Sequence, residues 1–300
     1  MPTSNEELLQ QQLEASSGKK PKGVEPAKAV GISYNADLQR VVREIKRDID
    51  TYLVPLLRKL APEYVTDSVR TTDSYVDTIV STLRMLLDKW SSPQFRSLSE
   101  RLARGFVTSA DRVNAKRFDA QFPTFGIDIF GGSTAMQDYL SASVFDNTRL
   151  ITSIPEQYLG LVDSIVMTNV RAGHRPSAIV KTLQEQFGIT KNRAKLIARD
   201  QTAKINGDLT EQRQRSVGYE YFQWLDSDDS RVRTRHESIA NKVTQYGLGI
   251  YRWDNLPLSD KGVPIKPGQD YQCRCIARPV GQDEVDENVK AGRTRPGVKR

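Results

Sequence analysis

The sequence predicts a mainly α-helical chain with a small C-terminal α+β module, an elongated helical N-terminal region and flexible termini. Three observations carry that expectation. Apolar residues recur at three- and four-residue spacing through most of the first two-thirds. After Gly218 the period shifts to two, and Gly247, Gly249, Pro257, Gly262, Pro264 and Pro267 then mark turns. Residues 1–33 and 282–300 are polar stretches that bury too little surface to offset their ordering entropy, so they read as a flexible arm and a flexible tail.

The helical elements follow in order. Tyr34, Leu38, Val41, Val42, Ile45, Ile49, Tyr52, Leu53, Leu56, Leu57 and Leu60 form one amphipathic stripe, and Pro55 inside it predicts a kink or restart near Tyr52. Val65, Val69, Val76, Ile79, Val80, Leu83, Leu86, Leu87 and Trp90 form a second, stopped by Ser91-Ser92-Pro93. Phe95, Leu98, Leu102, Phe106, Ala110 and Val113 form a third, so residues 34–118 read as a helical bundle or hairpin array. In residues 119–189 a Gly- and aromatic-rich loop at 119–134 precedes a helix marked by Tyr158 to Val170. Another helix starts at Pro176 and stops at Gly188. Residues 190–281 open on a polar, basic helix, continue into an aromatic strand ending at Trp224, and close as a turn-rich α+β module.

Composition narrows the functional classes. Hydrophobic residues make up 38% of the 300, and 44 Lys and Arg against 37 Asp and Glu leave a net charge of +7. That balance permits contact with polyanions without requiring it. Apolar runs stay short of the ~20 residues that span a bilayer, and the N-terminus lacks a secretory h-region. Folding in a cytoplasm, away from membranes, is expected. Walker-type, Gly-x-Gly-x-x-Gly and Gly-x-Ser-x-Gly patterns are missing and the chain has 2 histidines, so it reads as a non-enzyme.

The cysteines, Cys273 and Cys275, lie one residue apart in Cys-Arg-Cys. In an extended segment their side chains project from one face, where a disulfide between them would strain the backbone. Their use as thiols or metal ligands is the expectation. With His236 they supply three of the four ligands of a structural zinc site, and Asp226, Asp228 and Asp229 are the nearest acidic candidates; Asp229 is taken as the fourth. Two cysteines buried as small hydrophobes would be the alternative. Lys191, Arg193, Lys195, Arg199 and Lys204 form a basic helical stretch that suits DNA or an acidic partner, although a solvated face explains the same pattern.

One ordered set of motifs goes further. Arg193-Ala194-Lys195-Leu196-Ile197-Ala198-Arg199 precedes the strand from Gly218 to Trp224, the Asp229-Ser230-Arg231 turn, His236, Pro267-Gly268 and finally Cys273-Arg274-Cys275. This order resembles the phage head morphogenesis family, the Mu F-like minor head proteins, over roughly residues 190–280. Two departures stand out: Arg199-Asp200-Gln201 where family helices commonly continue Arg-Thr-Glu, and Ala240-Asn241 where a Gly often follows the His. The resemblance implies a minor capsid protein of a tailed phage, located in the virion near the portal vertex after assembly in the host cytoplasm. Portal protein, major capsid or scaffolding protein and packaged double-stranded DNA are its implied partners, with roles in head assembly and in DNA packaging or ejection. A metal-dependent nuclease using His236 with the aspartates, and a freestanding DNA-binding protein, are the rival readings.

Overall fold

The computed structural model describes residues 20–59, 72–121, 134–172, 174 and 176–295. Its elements are α1 (Lys28–Asp48), a π-helical turn (Ile49–Leu53), α2 (Val54–Lys59), α3 (Thr72–Ser91), α4 (Pro93–Asp119), α5 (Thr134–Arg171), α6 (Pro176–Ser216), β1 (Tyr221–Leu225), α7 (Thr234–Ala240), β2 (Val243–Thr244), β3 (Gly247–Leu248), β4 (Ile250–Arg252), β5 (Ile276–Val280) and α8 (Gln282–Lys290). The mainly helical class with a small C-terminal sheet is therefore observed. Among the described residues no helix is long and apolar enough to cross a membrane. Residues 122–133 of the aromatic loop expected at 119–134 and the Val65 and Val69 end of the second stripe lie outside the described residues.

The chain divides into two compact units, the first comprising Gly31–Phe106 and Ala142–Arg199. The predicted stripe of α1 is buried here through Leu38, Val41, Val42 and Ile45. Its register is fixed by polar contacts at both ends. Tyr34 stacks on Phe106 with ring centroids 3.9 Å apart and donates a hydrogen bond to Asn147 at 3.0 Å. At the other end Asp48 accepts from Lys89 and from the Trp90 indole, each at 2.8 Å, and the π-helical turn begins at the next residue. Pro55 follows just after that turn, so the backbone adjusts where proline withdraws a donor and crowds the preceding carbonyl.

Two helix boundaries differ from expectation. α5 starts at Thr134 rather than near Tyr158 and runs through Pro155. Thr152 and Ser153 hydroxyls donate to the Arg149 and Leu150 carbonyls just upstream of that proline, at 3.1 and 2.8 Å. Gly188 does not stop a helix either. α6 continues through it to Ser216, and the left-handed residue that ends it is Gly218, with φ 87°. Tyr219 N donates there to the Gln214 carbonyl at 2.9 Å.

The second unit comprises Met1–Val30, Val107–Ser141 and Asp200–Arg300. Its sheet is antiparallel in the order β4-β1-β5, with Phe222 paired to Tyr251 on one side and to Pro279 on the other. Period-two alternation divides β1 between two cores. Phe222 and Trp224 join Ile239, Tyr251, Trp253, Ile265, Ala277 and both cysteines on one face. Tyr221 joins Ile250, Val280 and Val285 on the other. The aromatic strand is thus central and covered on both sides, which is why it reads as apolar at nearly every position.

Val285 belongs to α8, so residues 282–290 of the expected flexible tail are helical, with Glu284 accepting from Arg278 Nη2 and Nη1 at 2.8 and 2.9 Å. Residues 20–33 of the expected arm are ordered as well. Residues 28–33 are helical, Val24 and Ala27 are buried, and the Val24 carbonyl accepts from Asn206 at 2.8 Å. Residues 1–19 and 296–300 lie outside the described residues. The C-terminal part of α6 organises this unit: Asn206 and Thr210 meet Asn114, Arg213 reaches Asn114 at 2.7 Å and Asp111 at 2.5 Å, and Gln214 donates to the Ala277 carbonyl at 3.1 Å.

The loop before the cysteines lies directly against the same helix. A Cβ on Gly207 would come within 2.4 Å of the Pro267 carbonyl oxygen, and one on Gly268 within 2.7 Å of the Ala203 oxygen. Gly207→Ala is therefore expected to lower stability by roughly 1–3 kcal/mol, the usual cost of forcing a methyl into a filled contact. Gly188→Ala is expected to raise it by about 1 kcal/mol, because that position is helical and open. Denaturant unfolding of the two variants checks both signs, and a destabilising Gly188→Ala would contradict the continuous helix.

Candidate metal centre

His236 lies in the first turns of α7 and is buried, as are Cys273 and Cys275 ahead of β5. The structure brings these three together, with ligand atoms all within 4.8 Å of one another. His236 Nδ1 stands 3.6 Å from Cys273 Sγ and 3.5 Å from Cys275 Sγ. A tetrahedral zinc with bonds of ~2.3 Å to sulfur and ~2.0 Å to nitrogen places those atom pairs about 3.5 Å apart. The spacing therefore fits a common ion.

The other ring nitrogen supports the same orientation. His236 Nε2 meets Asp270 Oδ2 at 3.2 Å, so a carboxylate fixes the ring while Nδ1 faces the sulfurs. That carboxylate–imidazole relay is the usual support of a metal-bound histidine. The Trp224 ring packs edge-on to His236 at 5.5 Å between centroids, and the Tyr251 hydroxyl donates to the Ile239 carbonyl at 2.9 Å, tying α7 to the sheet.

The three groups also perturb one another electrostatically. The hydrogen bond from Cys275, and after it that from His236, pulls the Cys273 thiol down to about 5 against burial. Cys275 moves far up, because it donates to that thiolate and is itself buried. His236 is raised, first by its hydrogen bond with Cys273, while burial works the other way. A divalent cation on these atoms would favour the thiolate form of both cysteines.

Asp229, expected as the fourth ligand, is not in the cluster. Both of its oxygens are taken by Arg274, with Nη2 at 2.6 Å from Oδ1, and it also accepts the Arg231 backbone N–H at 2.9 Å. The hydrogen bond from Arg274 holds its carboxyl well below the usual carboxylate range. The residue between the two cysteines thus competes successfully for that acid. Asp226 accepts the Asp228 backbone N–H at 2.9 Å, shaping its own loop. The other histidine, His174, is exposed and bonded to Asn169 at 2.7 Å.

The basic residues of α6 are not equivalent. Lys191, Lys195 and Arg199 are exposed at four-residue intervals and share one helix face. Arg193 leaves that set: it donates to Ser153 at 3.0 Å, and burial lowers its pKa. Lys204 is paired with Asp200 at 2.8 Å.

Asp200 is the positioning residue that motif reading missed. Its Oδ1 accepts the Gln272 backbone N–H at 2.8 Å, and Gln272 has φ 52°, a left-handed conformation uncommon outside glycine. The bond holds the residue that aims Cys273, across 72 positions of sequence. The one signal available was an acid at a position where the resembled family places Thr, in a helix otherwise read for its bases.

Helix, three-stranded antiparallel sheet and Cys-His-Cys cluster define a compact α+β module with a candidate metal centre. Residues 161–278 match the family model described as Phage Mu protein F like protein, which bears out the resemblance to phage head morphogenesis proteins over that span. A protein of Haemophilus influenzae (strain KW20 / Rd), described as uncharacterized, is 28% identical over 296 residues, covering 97% of this chain and 61% of its own length. The chain thus spans about three-fifths of that curated relative. No solved structure matches the chain.

Removing the Asp200 carboxylate should therefore act on the cysteine segment. Asp200→Ala is expected to cost about 1.5–3 kcal/mol, as for a hydrogen bond to a charged group. Lys204→Met should cost less than ~1 kcal/mol, as for a partly exposed ion pair. Gln272→Gly in the Asp200→Ala background should recover part of the loss, which urea denaturation of the three variants measures.

Proposed function

We propose that this chain is a minor head protein of a tailed phage that associates with the portal and is packaged inside the head, where its Mu F-like module is held together by a zinc ion on His236, Cys273 and Cys275. The observation that carries the role is the family match over 161–278, whose span takes in the basic face of α6, the sheet and the cluster. Burial of the three ligands, the Asp270 relay and the 3.5 and 3.6 Å spacings support the metal. Two of the aspartates on which a nuclease reading depends are committed elsewhere: Asp229 to Arg274 and Asp226 to the Asp228 backbone N–H. A structural and assembly role fits that arrangement better than catalysis.

In this role Lys191, Lys195 and Arg199 form a surface for packaged DNA or an acidic partner. Positive charge there lowers the cost of neighbouring phosphates through counterion release. The portal, and major capsid or scaffolding protein, are the partners that head assembly requires.

Purified protein is expected to carry one zinc per chain by elemental analysis, and Cys273→Ser/Cys275→Ser to carry none. Mass spectrometry of purified particles should find the chain at low copy number, and it should co-sediment with portal subunits. Particles lacking it, with no portal co-migration under assembly conditions, would overturn the head-protein role and leave the metal centre to be judged separately.

A further inference from the structure

The three ligands leave one tetrahedral position of a zinc ion to be filled, and its surroundings are specific. His236, Cys273 and Cys275 line a cleft of about 220 Å³ together with Arg231, Arg233 and Arg274. The three ligands are at most 6% exposed, whereas the side chains of Arg231, Arg233 and Arg274 are 73%, 41% and 26% exposed, so the ligands form its floor and the arginines its walls. Among the described residues the metal-ligand cluster contains no carboxylate. The cleft has room for several waters at ~30 Å³ each, and hence for a small ligand.

Its charge selects what enters. Two thiolates balance a divalent ion. Three arginines then face two aspartates: Asp229 paired to Arg274 and Arg231, and Asp270 on His236 and 3.6 Å from Arg233. The lining arginines exceed those two aspartates by one, while Asp226 also acts on Cys275. Arg274 turns its fork to Asp229 and Arg233 donates to the Tyr271 carbonyl, so Arg231, the most exposed of the three, presents the guanidinium that an incoming carboxylate or phosphate oxygen would meet. Three protein ligands with an open position are also the arrangement of zinc sites that accept an outside ligand, whereas closed structural sites use four.

Resting on the metal-centre reading above, we propose that this centre takes its fourth ligand from outside the module: an anionic oxygen of carboxylate or phosphate type, admitted through the cleft walled by Arg231, Arg233 and Arg274. The ligation is an exchange of bound water for the anion, with no redox step. A docking partner's acidic side chain and a phosphate group present the same donor atom, and separate anions distinguish them.

The test uses the full chain loaded with cobalt(II) in place of zinc. A sulfur-to-cobalt charge-transfer band reports metal on the thiolates, and the d–d bands report the fourth ligand. Titration with acetate, and separately with inorganic phosphate, is expected to shift the d–d bands saturably while the charge-transfer band persists. The anion giving the tighter titration identifies the carboxylate or phosphate source. Arg231→Gln should retain the charge-transfer band and weaken that titration roughly tenfold, the equivalent of one charge-assisted hydrogen bond. A charge-transfer band with d–d bands unmoved by either anion overturns the outside ligand and leaves the metal centre standing. Loss of the charge-transfer band on adding an anion means that the metal is stripped, and counts against the proposal. Absence of that band from the outset overturns the metal centre and this inference together.

Discussion

The orientation of one imidazole ring governs the C-terminal unit. His236 is fixed by Asp270 on one nitrogen and faces two sulfurs with the other, so α7, the loop at 270 and the segment entering β5 must converge on a single point. Each of those segments is short and would be marginal alone. The sheet that supports them has three strands, the fewest that give independent stability when a face is buried. The zinc proposed for the cluster would supply the cross-link that a small aromatic core lacks, in the way structural metals serve other small modules.

The second organising element is the C-terminal part of α6. It carries Asp200 to the Gln272 backbone, presents Gly207 to the Pro267 carbonyl, and reaches Asn114, Asp111 and Ala277 through Asn206, Thr210, Arg213 and Gln214. These are mostly buried polar contacts with defined partners. A helix that buried only Leu and Ile there would tolerate sliding by a turn. Paired amides and a buried guanidinium do not, because each displaced partner would leave a desolvated group unsatisfied. The low apolar content of this stretch, which resembles a solvated helix in sequence, is thus the mark of a polar interface.

That contrast explains what was legible in the sequence. Period 3.6 identified α1, α3 and α4, period two identified β1, and Pro55 located the backbone adjustment, because each leaves a local pattern. The shared face of Cys273 and Cys275, and their pairing with His236, followed from spacing and residue type. Gly188 misled because a glycine inside an open helix face, though it costs about 1 kcal/mol there, looks in sequence like a left-handed stop, and the positive φ that marks the stop belongs to Gly218. Asp229 misled because proximity in sequence to His236 says nothing about Arg274, which arrives from 45 residues away and takes the carboxylate. Val24 and Val285 lie in polar stretches whose few apolar residues form no sustained period, yet both are buried, Val285 beside Tyr221 and Ile250. Asp200 is the same case in polar form.

The central claim is a zinc ion held by one imidazole and two thiolates. X-ray absorption at the zinc edge of the purified full chain tests it most directly. The account predicts two sulfur neighbours at about 2.3 Å and two nitrogen or oxygen neighbours at about 2.0–2.1 Å. A shell of nitrogen and oxygen alone, or of four sulfurs, would contradict it.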